Sequence, residues 1–298
     1  MRPSFKNVHL RFRLNGLYFN REDLKEVAYS LVKEGVPYEQ AIGDFLMDWL
    51  NEKDELEVQT SGTTGTPKII KLKKHHMVNS AIATGDFFGI SVGDKALHCL
   101  PSNFIAGKMM LIRALILGLE IDTVMPSSTP LKGLPYKEYD FSAMIPLQVK
   151  NSLNELARIK TLIIGGAAVS EPLMKDLQKL PVKAYETYGM TETITHVAAK
   201  SLNASSKTDT FKGLPGVNFA SDDRNCLLID AKEVSDNKIQ TNDIVEIVSK
   251  SEFKWLGRYD TIINSGGIKL IPEQIELKLQ HLPAKITTAH HTWAKHHL

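Results

Sequence analysis

Apolar residues between 21 and 50 recur three or four positions apart: Leu24, Val27 and Leu31, then Ile42, Phe45, Leu46, Trp49 and Leu50. That period predicts helix across this stretch. "LEVQT" (56–60) then alternates as a strand does. "IIKLKK" (69–74) alternates apolar and basic positions, as the second arm of a hairpin with one wet face. Helices are expected near 75–88 and 105–118, on either side of a buried strand, "KALHCL" (95–100). Further on, strands at 141–146, 161–166 and 182–189 bracket helical stretches at 147–157 and 170–180. Strands alternating with helices of about ten residues predict parallel α/β architecture with both sheet faces covered. From 210 to 256 the texture changes to short apolar pieces, "CLLID", "IVEIV" and "FKWLG", separated by polar residues. This predicts a small antiparallel β subdomain.

Composition narrows the functional classes. The 298 residues are 43% hydrophobic and carry a formal net charge of +2, so bulk electrostatics give no argument for a nucleic-acid partner. The two cysteines, Cys99 and Cys226, sit in apolar strand contexts and read as buried reduced thiols. The apolar run 109–121 contains Arg113 and Glu120 and is too short to span a bilayer. No signal peptide is legible, so the cytoplasm is the expected compartment. The histidine-rich end, "AHHTWAKHHL", reads as a disordered tail, with metal binding as the alternative.

The chemistry begins at "TSGTTGTPK" (60–68), too poor in bulk for a helix or a strand. Gly62 and Gly65 let the backbone approach a ligand closely, and loop amides with the hydroxyls of Thr60, Ser61, Thr63 and Thr64 offer a concavity of donors. Lys68 adds a point charge at the far end. Such a loop suits a polyphosphate. It is not a Walker A loop, because no Gly-Lys-Ser/Thr follows four spacers.

Four further stretches appear in order: "IIGGA" (163–167), "YGMTET" (188–193), "TND" (241–243) and "GRYDTIINSGGIKL" (257–270). Together with the loop they resemble the adenylate-forming superfamily of acyl-CoA synthetases, luciferases and peptide-synthetase adenylation domains. The resemblance covers about residues 56–275. It implies an α/β fold: a large domain of parallel α/β sheets plus the antiparallel β subdomain, with an incomplete C-terminal α+β domain. The expected division is residues 1–257, with the β subdomain at about 210–257, and 258–298 as hinge and shortened C-terminal part.

The resemblance also implies roles. Thr60 to Lys68 would hold the outer phosphates of ATP. Gly165, Gly166 and Ala167 would lie beside adenine, with Tyr188 stacked on it. Thr191 would bond the α-phosphate and Glu192 would reach Mg²⁺. Asp243 would accept from the ribose hydroxyls, with Arg258 on ribose or phosphate. Asp260 would be the hinge, and Gly266 and Gly267 would line a coenzyme A channel. Thr191, Glu192 and Arg258 are the expected catalytic groups. Singly, each has a plain alternative: Tyr188 and Met190 as core packing, Arg258 with Asp260 as a surface pair, Asp243 as a turn residue.

The implied reaction joins a carboxylate to AMP and then hands the acyl group to coenzyme A. Within the superfamily, "LPSNFIAGKMMLIRAL" (100–115), "YGMTETITH" (188–196) and "SGGIKLIPEQIE" (265–276) most resemble o-succinylbenzoate–CoA ligases of menaquinone biosynthesis. Lys108 is then a candidate for the substrate's spare carboxylate, with Gly189, Met190 and His196 lining the acyl pocket. The plain alternatives are a snorkelling lysine and a satisfied core histidine.

Three departures accompany the resemblance. The segment before the phosphate loop is short, and Phe104 stands where relatives often place a histidine. Fewer residues follow Asp260 than the roughly 50 of an ordinary domain, and neither Lys285 nor Lys295 has the glycine-lysine context of the family's adenylation lysine. Adenylation is therefore expected to be weak. An ATP-binding module without turnover, and a ligase for another aryl or fatty acid, remain open. A homodimer is also left open.

Overall fold

The computed structural model describes residues 3–59, 69–203, 208–265 and 268–279. The loop at 60–68, the pair Gly266 and Gly267, and Lys285 and Lys295 lie outside them. A short hairpin, β1 (Arg13–Leu14) and β2 (Leu17–Tyr18), leads into α1 (Arg21–Glu34) and α2 (Pro37–Leu50). One periodic stretch thus becomes two helices. Asn20 opens α1 by accepting from the amides of Glu22 and Asp23 at 2.8 and 3.0 Å. Gly35 closes it, and Pro37 starts α2 at a position that has no amide to lose.

β3 (Glu55–Gln59) and β4 (Ile69–Lys73) form the expected hairpin, with Val58 opposite Ile70. Then come α3 (Lys74–Phe88), β5 (Lys95–His98), α4 (Ile105–Leu117), β6 (Glu120–Thr123), β7 (Tyr139–Met144) and α5 (Pro146–Asn151). The helix expected at 147–157 is α-helical only as far as Asn151, and a 3₁₀ turn at Leu153–Arg158 completes it. β8 (Ile159–Ile164), α6 (Glu171–Leu177) and β9 (Lys183–Gly189) follow. Antiparallel strands succeed them: β10 (His196–Ser201), β11 (Phe211–Gly213), β12 (Asn218–Ser221), β13 (Cys226–Asp230), β14 (Ile239–Ser249) and β15 (Glu252–Arg258). A separate two-strand piece, β16 (Ile263–Ser265) and β17 (Ile268–Leu270), leads to α7 (Pro272–Leu279).

The β-rich segment is not a separate sheet. Thirteen strands hydrogen-bond in the order β12-β13-β14-β15-β11-β10-β9-β8-β7-β5-β6-β1-β2. β9, β8, β7, β5, β6 and β1 are parallel, and β10 reverses direction beside β9. β10 carries the sheet from its parallel to its antiparallel half, which places the loop after β9 at the junction. Cys99 and Cys226 are free and buried, as expected. Among the described residues, no helix is long and apolar enough to cross a membrane.

Candidate nucleotide and acid site

The parallel strands β5, β7, β8 and β9 all end at one edge of the sheet, where ligands of open α/β folds bind. Gly165, Gly166 and Ala167 follow β8 directly. The Thr187 hydroxyl on β9 donates to Ile164 O at 3.1 Å, which joins the two strand ends. Gly166 has φ +83°, a conformation glycine takes without strain. The sequence-read pair "GGA" and "YGMTE" therefore lie side by side.

The turn after β9 is built around Thr193, a residue the sequence reading passed over. Its fully buried hydroxyl accepts from Met190 N at 2.9 Å and faces the carbonyls of Met190 and Thr195 at 2.9 and 2.7 Å. Ile194 takes φ +66°, which folds the chain back onto Gly189. A Cβ on Gly189 would meet Thr195 O at 2.2 Å, so only glycine fits there. This short 3₁₀ turn presents Thr191 half-buried and Glu192 exposed.

Asp243 is only 9% exposed, yet both its oxygens are held. Tyr188 donates its hydroxyl to Oδ2 at 2.6 Å, and Trp255 donates its indole N–H to Oδ1 at 3.1 Å. Burial, and then the Asp243 charge, push the Tyr188 phenol far up, so it stays protonated as the donor. Its ring packs on Phe253 (5.1 Å between centroids, edge-on) and Phe211 (5.8 Å). Arg258 is the cross-strand partner of Asp243. Its guanidinium makes two 2.8 Å bonds to the carboxylate of Asp260, which hold the Asp260 carboxyl below its ordinary range. Tyr188, Asp243 and the neighbouring pair Arg258 and Asp260 thus form one constellation. Trp255 was missed, because a tryptophan between apolar strand residues carries no signal of its partner.

Lys108 does not face the same region as the other candidates. Its ammonium lies 5.4 Å from the Phe45 ring, with Asp44 and Asp48 of α2 as its charge neighbours. At 3.6 residues per turn, Arg113 points about 140° away around α4. Arg113 is 1% exposed; Nη1 approaches only the Met110 sulfur, at 3.7 Å. Its Nε and Nη2 have no hydrogen-bond partner among the described residues. Burial lowers its pKa to about 9, so it remains cationic at neutral pH. The signal was present in the sequence as one arginine inside an apolar helix.

His196 is buried on β10, with Nε2 3.3 Å from the Thr84 hydroxyl. Burial and then the charge of Arg113 hold it well below the usual histidine range, hence neutral. It borders a cavity of about 20 Å³ with Ser80, Ala83 and Val234, room for about one water. Phe104 caps α4 and is 48% exposed.

His98, at the end of β5, makes one bond, Nε2 to the Ser102 hydroxyl at 2.9 Å, and its Nδ1 has no partner among the described residues. Burial pulls its pKa down to about 4. The unfolded chain binds that proton below about 6.5, whereas the folded chain refuses it until about pH 4. Stability is complete above the unfolded value and falls as pH drops through this window, by about 3 kcal/mol for this group. Thermal unfolding at pH 7 and pH 5 checks this: His98→Gln is expected to flatten the loss between the two.

Comparisons with known proteins bear on the family and the fold. The family model described as AMP-binding enzyme matches residues 58–223. The 2-succinylbenzoate–CoA ligase of Staphylococcus aureus (strain MSSA476) is 24% identical over 91% of this chain and 60% of its own length. The chain spans 38% to 60% of the length of such curated relatives. An acyl-CoA synthetase (AMP-forming)/AMP-acid ligase II-like protein from Dyadobacter fermentans superposes with TM-score 0.73 at 36% identity, covering 86% of this chain and 75% of that one. O-succinylbenzoate coenzyme A synthetase from Bacillus subtilis, in complex with AMP, shares the fold at TM-score 0.64 and 20% identity, over 76% of this chain and 54% of that one. With more than half its length matched by the family model, and strand-end loops arranged as described, this chain belongs to the AMP-binding enzyme family.

Proposed function

We propose that the chain binds ATP and an aryl dicarboxylic acid of the o-succinylbenzoate type, and acts in an acid–thiol ligation of menaquinone biosynthesis. The observation that carries the nucleotide half is the Tyr188–Asp243–Arg258 constellation beside the ends of β8 and β9. Asp243 keeps outward lone pairs for the ribose hydroxyls, since a carboxylate accepts about four bonds and two are made. Gly165 to Ala167 flank the base, with Tyr188 against it. Thr191, held by the Thr193 turn, donates to the α-phosphate. Arg258 exchanges one contact with Asp260 for ribose or phosphate. The loop 60–68 takes the outer phosphates.

Mg²⁺, when bound, would offset phosphate charge, and Glu192 is the residue that would hold it. Its exposed carboxylate has no partner among the described residues, and Mg²⁺ sites use one or two carboxylates with substrate phosphates supplying the rest.

The acid half rests on Arg113. A buried cation with two unpartnered nitrogens is costly in an apolar helix, and a carboxylate is the group that offsets that cost. In this reading Arg113, rather than Lys108, meets the spare carboxylate, while neutral His196 with Gly189 and Met190 bounds the acyl pocket. The reacting carboxylate then attacks the α-phosphorus in line, pyrophosphate leaves, and a coenzyme A thiol displaces AMP. Anion attacking anion requires fixed positive charge and orientation, which Arg258, Thr191 and the loop would provide.

Residues 1–257 form the binding domain in this proposal, and Arg258 onward forms hinge and C-terminal part, with Asp260 as the hinge and Gly266 and Gly267 beside the thiol. The separate β16–β17 pair supports that boundary. Incubation with presynthesised o-succinylbenzoyl-AMP and coenzyme A tests the reading. Thioester above the uncatalysed background supports it; nucleotide binding without thioester would show a binding module instead.

A further inference from the structure

We propose that Trp255 is a positioning residue for ribose recognition: its indole N–H holds the Asp243 carboxylate in the orientation that receives the nucleotide's 2′- and 3′-hydroxyls. This rests on the nucleotide-site reading above. The argument starts in the strand register. Along β14 and β15, Asp243 faces Arg258 and Ile244 faces Gly257, but Val245 faces Trp255. Leu256 is the extra residue of a β-bulge. Cross-strand partners share a face, so an unbroken ladder would have put Leu256 on the Asp243 face and Trp255 on the other. The bulge re-aims Trp255 by one position, which is a recurrent use of bulges beside functional sites.

Re-aimed, Trp255 meets Asp243 at 3.1 Å from one side while Tyr188 meets it at 2.6 Å from the other. Phe253, two residues earlier and completely buried, supports the Tyr188 ring from below. Each carboxylate oxygen has one protein donor. Two donors on opposite oxygens hold the rotamer, and a carboxylate accepts about four bonds, which leaves capacity for the two donors of a vicinal diol. Trp255 is partly buried and its ring packs against the core, while its N–H is turned to Asp243. Its polar atom is what the bulge delivers.

The test compares ATP with 2′,3′-dideoxy-ATP, each with magnesium, by titration calorimetry on the unmutated chain and on Trp255→Phe. The expected result is a Trp255→Phe protein whose preference for ATP over the dideoxy nucleotide shrinks about 3- to 10-fold, with dideoxy affinity unchanged, the scale of one ordinary hydrogen bond. Equal weakening of both ligands, or an unchanged ratio, overturns the proposal. Failure of the unmutated chain to bind either nucleotide overturns the nucleotide reading itself, a separate outcome. A second measurement does not depend on the variant folding. The Trp255 indole N–H resonance of the unmutated protein is expected to shift with ATP and less with the dideoxy nucleotide. Identical shifts with both would contradict the proposed role.

Discussion

Arg113→Met is expected to make the protein more stable and worse at binding its acid. The guanidinium is buried in α4 with Nε and Nη2 unpartnered among the described residues, and burial has already lowered its pKa to about 9. Methionine is unbranched and adapts to irregular apolar surroundings such as Met110, whose sulfur lies 3.7 Å from Nη1. Replacing a poorly compensated buried charge with an apolar side chain stabilises by about 1–4 kcal/mol, a rise of several degrees in melting temperature for a chain of this size. In the proposed reading the same change removes the charge-assisted partner of the acid's spare carboxylate, and KM for o-succinylbenzoate is expected to rise about 10²-fold. Stability and function thus move in opposite directions, as at sites where a strained group is kept for a ligand. A destabilised variant with unaltered KM would show that Arg113 is structural. Lys108→Met is the contrast. Its cation sits on the Phe45 ring near Asp44 and Asp48, so stability falls while KM for the acid holds.

Asp243→Ala is expected to cost both stability and nucleotide affinity. It strands the Tyr188 hydroxyl and the Trp255 indole N–H, each at about 1–3 kcal/mol of unsatisfied donor. ATP binding is expected to weaken at least about 10²-fold, because in the proposed site two ribose hydroxyls lose their acceptor. The phenol reports the change independently. With the Asp243 charge gone, the Tyr188 pKa moves down toward the ordinary tyrosine range, since that charge is the second cause of its elevation after burial. Ultraviolet titration of the variant measures this. An unchanged phenol together with unchanged ATP affinity would remove Asp243 from the site.

Local chemistry made much of this legible before the structure. The strand and helix periods located β3, β4, α3, α4, β7, β8 and β9 within a few residues, because each buries one face and its pattern follows. The glycines and hydroxyls of 163–167 and 188–193 marked loops at strand ends. What the sequence could not reveal is what tertiary contact decides. The antiparallel β strands were legible, but nothing local shows that β10 pairs with β9 and continues the sheet. The role of Thr193 depends on a turn in which Ile194 takes a positive φ that β-branched residues rarely adopt. Trp255 reaches Asp243 only because Leu256 is squeezed out of register. Lys108 and Arg113 are two cations in one apolar run, and helical phase with the position of α2 tells them apart.

The most direct measurement is calorimetric titration of the unmutated chain with magnesium ATP. One site per chain with measurable heat, abolished in Asp243→Ala, is the predicted result. No heat from the unmutated protein, or equal binding by the variant, would contradict the claim that Tyr188, Asp243 and Arg258 grip a nucleotide at the edge of this sheet.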